Sequence, residues 1–154
     1  MQSPDTRIDV QYAVNADGIP APESLRHWVD CALHDRRPAA ELAVRIVDEA
    51  EMTALNRQFR GKDGVTNVLS FPFAGMPGVN TEQLGDIVIC APVVVAEAVT
   101  QGKSLEAHWA HIVIHGVLHL LGHEHHREDE AQRMEAREIG LLATLGYPDP
   151  YQPD

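Results

Sequence analysis

Cysteine is scarce in this sequence. The 154 residues include only Cys31 and Cys90, which lie far apart and outside any CxxC pattern. This spacing indicates neither a disulfide framework nor a thiolate metal site. We expect both thiols to be packed rather than reactive, in a reducing cytoplasm.

Long apolar runs are also lacking. No segment approaches the ~20 apolar residues that a membrane-spanning helix needs. The first ten residues, MQSPDTRIDV, are polar and of mixed charge. The sequence therefore predicts neither a membrane span nor export, and we expect a cytoplasmic protein.

Positive charge is the third shortage. Lysine and arginine together number 12 against 23 aspartates and glutamates, and the formal net charge is -11. This balance argues against the broad electropositive surface that usually holds nucleic acid by its phosphates. Most of the basic residues are arginine, however, and RQFRGK at 57–62 places three positive charges close together. Because the guanidinium group is a planar, bidentate donor, local contact with a phosphate stays open.

Alternating short elements fill the rest of the chain. Period-two patterns in RIDVQY, ELAVRIV, TNVLSFPF and LGDIVIC predict four strands. Helical spacing predicts about five helices, the first over about 23–35 and the last over about 128–146. With 44% hydrophobic residues and no internal repeat, residues 1–154 are predicted to form one α+β domain with a mixed sheet.

Helix ends can be placed from individual residues. Asp48 and Glu51 form a plausible capping pair for a helix that would bury Met52, Leu55 and Phe59. Pro92 and Gly102 are expected to open and close a further helix, and Ser104 and Gly122 the next one.

That last helix carries the segment HGVLHLLGHEH at 115–125, with four histidines in eleven positions. His115 and His119 are four residues apart, so on a helix their rings project side by side and can share one ion. Gly122 can end the helix and turn the chain, which would let His125 reach the same ion. Three imidazoles leave one coordination position open, as is typical of catalytic rather than structural zinc.

Spacing alone does not decide the ligands, because His111 and His115 are also four residues apart. A single histidine on an apolar helix is usually a hydrogen-bonded core residue. Here His108, His111, His115 and His119 share one helix face, and an unneutralised stack of imidazoles in a core would be costly. We therefore predict a metal site at the end of a central helix. Zinc is the expected metal, with nickel or copper possible because affinity alone discriminates poorly.

Gly116 restricts the chemistry of such a site. Metalloproteases of the HExxH type carry a glutamate directly after the first ligand as general base, and this chain has glycine there. Glycine in a helix interior costs about 1 kcal/mol relative to alanine. We therefore expect a close approach of another backbone or of substrate at Gly116.

Several segments resemble the YbeY proteins, bacterial metal-dependent endoribonucleases also called ribosomal RNA maturation factors. HGVLHLLGHEH is similar to the family signature HGxLHLxGHDH. LNRQFRGKDGVTNVLSFPF at 55–73, LGDIVI at 84–89 and EDEAQRMEAREIGLLATLGYPDPY at 128–151 also resemble family segments in the same order. Val65, Asn67 and Glu124 depart mildly from the pattern, where proline, aspartate and aspartate are common.

The resemblance implies a set of functional residues and a substrate. His115, His119 and His125 would be the ligands of one zinc ion per chain, and Arg60 would match the functional arginine near the metal. The implied activity is zinc-dependent cleavage of single-stranded ribosomal RNA, including 3′ end maturation of small-subunit RNA, with a part in ribosome quality control. The implied partners are RNA and the ribosome or its assembly proteins.

Two other classes of function stay open at this point. One is a zinc-dependent hydrolase of peptide or amide bonds, favoured by the acidic surface and the helical pair of zinc ligands and weakened by Gly116. The other is a ribosome-associated binding protein whose zinc holds the C-terminal turn in place.

Overall fold

The computed structural model describes residues 6–14, 18–33, 40–73, 83–122 and 128–151. The strands are β1 (Thr6–Tyr12), β2 (Ala40–Val47), β3 (Val68–Pro72) and β4 (Gln83–Cys90). The helices are α1 (Pro22–Leu33), α2 (Glu49–Arg60), α3 (Ala91–Gln101), α4 (Leu105–Leu120) and α5 (Glu128–Thr144). Four strands and five helices in one domain confirm the predicted α+β class.

The sheet is mixed, as predicted. Its strand order is β1-β2-β4-β3. β1, β2 and β4 run parallel, whereas β3 pairs antiparallel with β4 through residue pairs such as Ser70 and Ile87. β3 is an edge strand, and it contacts helix α4.

The main core lies on one face of the sheet, between the strands and helices α1 and α4. Leu42, Val44 and Ile46 of β2 point into it together with Ile87 and Ile89 of β4. The opposite face carries a smaller cluster in which Met52 of α2 packs with Val88 and Leu69. Alternate β4 residues therefore serve the two faces, as the pleat of a strand requires.

Helix α4 is the central helix of the domain. Eleven of its 16 residues are buried, on nearly every side of the helix, which is typical of a helix inside a core rather than on its surface. The hydroxyl of Ser104 accepts a hydrogen bond from the Ala107 amide at 3.1 Å, so the predicted N-cap is confirmed. Gly122 follows the helix with φ +96, a conformation that favours glycine.

Helix α2 departs from the expectation in two details. Asp48 caps it by accepting from the Glu51 amide at 2.8 Å, but the Glu51 carboxylate binds Arg45 of β2 at 2.6 and 3.1 Å instead of completing a capping box. The prediction that Phe59 is buried was wrong. Its side chain is 57% exposed and packs edge-on against Phe71, because the sheet face beneath α2 is only partly covered.

No helix in the described ranges is both long enough and apolar enough to span a membrane.

Candidate functional site

A cleft of about 310 Å³ opens where the end of α2, strand β3 and the C-terminal half of α4 meet. It is lined by Arg60, by residues 66–70, and by His115 and His119. We call it the histidine cleft. Two wider grooves of about 400 and 430 Å³ share Asp86 on another part of the sheet and have no histidine in their lining. Asp86 is thus not among the residues that line the histidine cleft.

His115 and His119 lie one helical turn apart on α4. Their ring centroids are 4.7 Å apart with an angle of 71° between the planes, as the four-residue spacing predicts. Both side chains are partly exposed and reach the cleft. The third predicted ligand, His125, lies in 123–127, outside the described residues.

A buried carboxylate lies behind His115. Glu138 of α5 is fully buried, and its Oε1 lies 2.6 Å from Nδ1 of His115. Its Oε2 lies 3.0 Å from Nε2 of His111 and accepts a hydrogen bond from the Tyr151 hydroxyl. We call Glu138, His111, His115 and Tyr151 the Glu138 cluster.

The negative charge of Glu138 is stabilised by its hydrogen-bond partners. Burial alone would raise the pKa of this carboxyl, but the hydrogen bonds with His111 and His115 outweigh burial and lower its pKa to about 2. The pKa of Tyr151 is raised, because burial and the hydrogen bond to Glu138 both favour its protonated form. Glu138 is therefore a carboxylate and Tyr151 a donor at neutral pH.

His111, His115 and Glu138 are positioned to hold a metal ion. One candidate ligand atom from each lies within 4.8 Å of the others. Both imidazole and carboxylate are ordinary zinc ligands. The spacing of His111 and His115 had left this pair open as ligands, but sequence reasoning missed Glu138. The sequence does contain a sign of it: Glu138 is an acidic residue on the apolar face of α5, in helical register with the buried Met134, Leu141 and Leu142.

Arg60 is the last residue of α2. Gly61 closes that helix with φ 65 and donates its amide to the Arg57 carbonyl. The helix end brings the exposed Arg60 side chain to the wall of the histidine cleft. The structure thus brings the predicted arginine and the two described predicted ligands to one cavity.

A second histidine and carboxylate pair contacts Asn67, one of the residues that line this cleft. Glu97 of α3 lies 3.0 Å from Nε2 of His108 and accepts from the Asn67 amide at 3.1 and 3.3 Å. We call these three residues the Glu97 cluster. Burial lowers the pKa of His108 despite the opposing hydrogen bond with Glu97, so this imidazole resists protonation.

Gly116 is explained by packing. A Cβ at this position would lie 2.9 Å from Cγ2 of Ile87 in β4. The approaching group is therefore a side chain of the sheet, rather than the backbone or substrate expected from the sequence. The Gly116 carbonyl also accepts from the Ser70 hydroxyl at 3.1 Å, which ties α4 to strand β3 beside His115.

Comparison with known proteins agrees with this architecture. The fold is similar to the solution structure of TM1509 from Thermotoga maritima, with a TM-score of 0.58 and 24% identity over 89% of this chain and 91% of that chain. Residues 12–146 match the model of the family described as endoribonuclease YbeY. That match supports an endoribonuclease role in ribosomal RNA processing, and so a hydrolase acting on phosphodiester bonds. Because the match covers most of the sequence, the chain belongs to the endoribonuclease YbeY family.

Proposed function

We propose that this protein is a zinc-dependent endoribonuclease that cuts single-stranded regions of ribosomal RNA. Its tasks would include 3′ end maturation of small-subunit RNA and ribosome quality control, in the cytoplasm and in contact with the ribosome or its assembly proteins. Residues 1–154 would form one YbeY-like metal-dependent hydrolase domain. The observation that carries the proposal is the shared cleft of Arg60, His115 and His119.

We propose His115, His119 and His125 as the ligands of one zinc ion per chain, with nickel or copper as possible substitutes. The adjacent rings of His115 and His119 and their access to the cleft support this choice. The alternative set of His111, His115 and Glu138 is less suited to catalysis, because Glu138 is fully buried and already bonded to both histidines and to Tyr151. A bound zinc ion would supply Lewis acidity and lower the pKa of a coordinated water.

Arg60 is proposed to bind the phosphate at the cleavage site. Hydrolysis of a phosphodiester adds negative charge to the oxygens on phosphorus. A guanidinium at the cleft wall stabilises this charge more in the transition state than in the bound substrate. Its planar donors match two phosphate oxygens at once.

The two other classes of function are less well supported. Residue 116 is glycine, packed on Ile87. The glutamate base of an HExxH protease therefore has no equivalent directly after His115. A purely structural zinc would not explain why an arginine shares the cleft with two histidines.

The test compares two arginines on the last turn of α2. Arg60→Ala should lower kcat/KM on single-stranded RNA by about 100-fold or more, as loss of one transition-state donor does. Arg57→Ala is the matched control, because Arg57 bonds to Asp63 at 3.1 Å and does not line the histidine cleft. It should change kcat/KM by no more than about threefold, the effect of one exposed charge.

Metal content and substrate choice complete this test. Purified protein should hold about one zinc per chain, and His119→Ala should lose both zinc and RNA cleavage. Cleavage that survives both Arg60→Ala and His119→Ala would sink the proposal, and turnover of casein without turnover of RNA would favour a peptide hydrolase.

A further inference from the structure

The Glu138 cluster has a feature that the proposed cleavage chemistry does not use. One buried carboxylate lies within hydrogen-bond distance of three side chains, two from helix α4 and one from the C-terminal segment: His111, His115 and Tyr151. A carboxylate accepts hydrogen bonds and donates none, so each partner must direct a proton at it. The proton positions of the two histidines can be deduced from this requirement.

His111 shows the logic most clearly. Within the described part of the chain, its buried Nδ1 has no hydrogen-bond partner. A proton on Nδ1 would leave that donor unsatisfied and would also set the lone pair of Nε2 against a carboxylate oxygen, which can only accept. The single proton of a neutral His111 therefore lies on Nε2, directed at Oε2 of Glu138.

The same requirement applies to His115. Its Nδ1 lies 2.6 Å from Oε1 of Glu138, so Nδ1 carries the proton. In a neutral imidazole the other nitrogen, Nε2, then bears the lone pair that a metal needs. Nε2 lies across the ring from Glu138, and the His115 side chain lines the histidine cleft.

Tyr151 completes the arrangement from the C-terminal segment. Its hydroxyl donates to Oε2 of Glu138 and lies 3.2 Å from Nε2 of His111. This segment is held in turn by Lys103, whose Nζ donates to the Pro150 carbonyl at 2.5 Å. The carboxylate is thereby held through Oε2, while Oε1 contacts His115.

We propose that Glu138, held by His111 and Tyr151, is a positioning residue that orients the His115 ring and selects Nε2 of His115 as its metal-ligating nitrogen. The proposal rests on the proposed zinc site and assigns Glu138 and His111 a role outside the coordination sphere. A carboxylate that accepts from the second nitrogen of a ligating histidine raises the basicity of the ligand and restricts its rotation.

The experiment measures zinc affinity by competition with a chromogenic chelator. Glu138→Ala should weaken zinc binding by about 10- to 100-fold, as loss of such an outer partner does. Glu138→Gln keeps an acceptor for Nδ1 of His115 and should recover most of the affinity. Equal loss in both variants would contradict the proposal, because a positioning role is satisfied by the amide oxygen.

A direct ligand would behave differently. The visible absorption bands of the cobalt(II)-substituted protein report the ligand set, so they should be the same in wild type and Glu138→Gln. A changed band pattern or loss of the metal in Glu138→Gln would show that Glu138 coordinates the ion and would overturn the proposal.

A milder variant covers the case in which Glu138→Ala does not fold. Tyr151→Phe removes one donor to Glu138 and should weaken zinc binding by roughly 3- to 10-fold, the range of one hydrogen bond. Tyr147→Phe is its control, because Tyr147 of the same segment interacts with Trp28 and Glu106 instead. If Tyr151→Phe binds zinc as tightly as wild type and Tyr147→Phe do, the proposed support of Glu138 by Tyr151 is refuted.

These affinities are measured without RNA. A wild-type protein that binds zinc but does not cut RNA would refute the proposed function and leave the role of Glu138 intact. If Glu138→Ala binds zinc as tightly as wild type does and wild type cuts RNA, the proposed role of Glu138 is refuted and the proposed function is left intact.

Discussion

The Glu97 cluster and the Glu138 cluster join histidines of one helix, α4, to a carboxylate from a neighbouring helix, yet they differ in depth. The Glu97 side chain is 31% exposed and that of Glu138 is 0% exposed. Glu97 contacts one histidine and one amide, whereas Glu138 contacts two histidines and a tyrosine hydroxyl. The deeper carboxylate has the larger set of donors.

This difference follows from the cost of burying charge. An ionised carboxylate without water must be compensated by donors, and a half-buried one can rely on solvent for part of that compensation. Burial sets the direction of the pKa shift of His108 at the Glu97 cluster. At the Glu138 cluster burial is also the largest single cause, but the interactions with His111 and His115 together outweigh it and lower the pKa of the carboxyl. A histidine and a carboxylate thus form a partly exposed contact in the Glu97 cluster and a fully buried hydrogen-bonded group in the Glu138 cluster.

The largest effect is expected when the carboxylate of each cluster is removed. In metal-free protein, Glu138→Ala should lower the free energy of unfolding by about 3 kcal/mol, and Glu97→Ala by about 1 kcal/mol. Urea denaturation in the presence of a chelator measures both, because zinc would otherwise add binding energy to the folded state. Equal losses would mean that depth does not separate the clusters.

A second prediction disturbs the backbone beside His115. Gly116→Ala should lower the free energy of unfolding by about 1–2 kcal/mol, since the clash with Ile87 exceeds the gain in helix propensity. Gly140→Ala in α5 is the matched control, because a Cβ there meets nothing within 4 Å. That variant should stabilise the protein by up to about 1 kcal/mol. Thermal unfolding of both variants checks the pair, and a stabilising Gly116→Ala would contradict the packing explanation.

A third prediction adds charge to the shallower cluster. Asn67→Asp would place a second carboxylate about 3 Å from Glu97, which should lower the free energy of unfolding at pH 7.5 by about 1–2 kcal/mol. The two carboxylates repel each other only while both are ionised, so the loss should shrink as the pH falls to 5. Asn67→Ala removes the hydrogen bond without the charge and should lack this recovery in urea denaturation at the two pH values.

The smallest expected effect concerns His108. Burial lowers its pKa below the ordinary histidine value of about 6.5, so below this pH the unfolded chain binds a proton that the folded chain resists. Stability from this group is present above pH 6.5 and is lost as the pH falls. Between pH 7.5 and 5.5, wild type should lose up to about 1 kcal/mol more stability than His108→Gln. An equal loss in both proteins, measured by urea denaturation, would show that His108 titrates as in the unfolded chain.

Local patterns predicted much of the fold. Strand alternation, the Asp48 and Ser104 caps and the glycines after α3 and α4 act over a few residues, and the structure agrees with them. Three details differ from the expectation, and each depends on contacts between elements far apart in the chain. One is Gly116, which is approached by the Ile87 side chain of β4 rather than by backbone or substrate. The Glu51 carboxylate binds Arg45 of β2, and Phe59, which packs edge-on against Phe71, stays exposed because the described residues cover its side of the sheet only in part.

The sequence by itself determined the paired rings of His115 and His119, because positions four apart on a helix always share a face. It also determined the positive φ after α4, through Gly122. Only the tertiary structure decided that Arg60 meets those rings in one cleft and that Glu138 lies behind His115. These contacts depend on how α2, α4 and α5 pack around the sheet, and packing between elements far apart in the chain leaves no fixed spacing in the sequence.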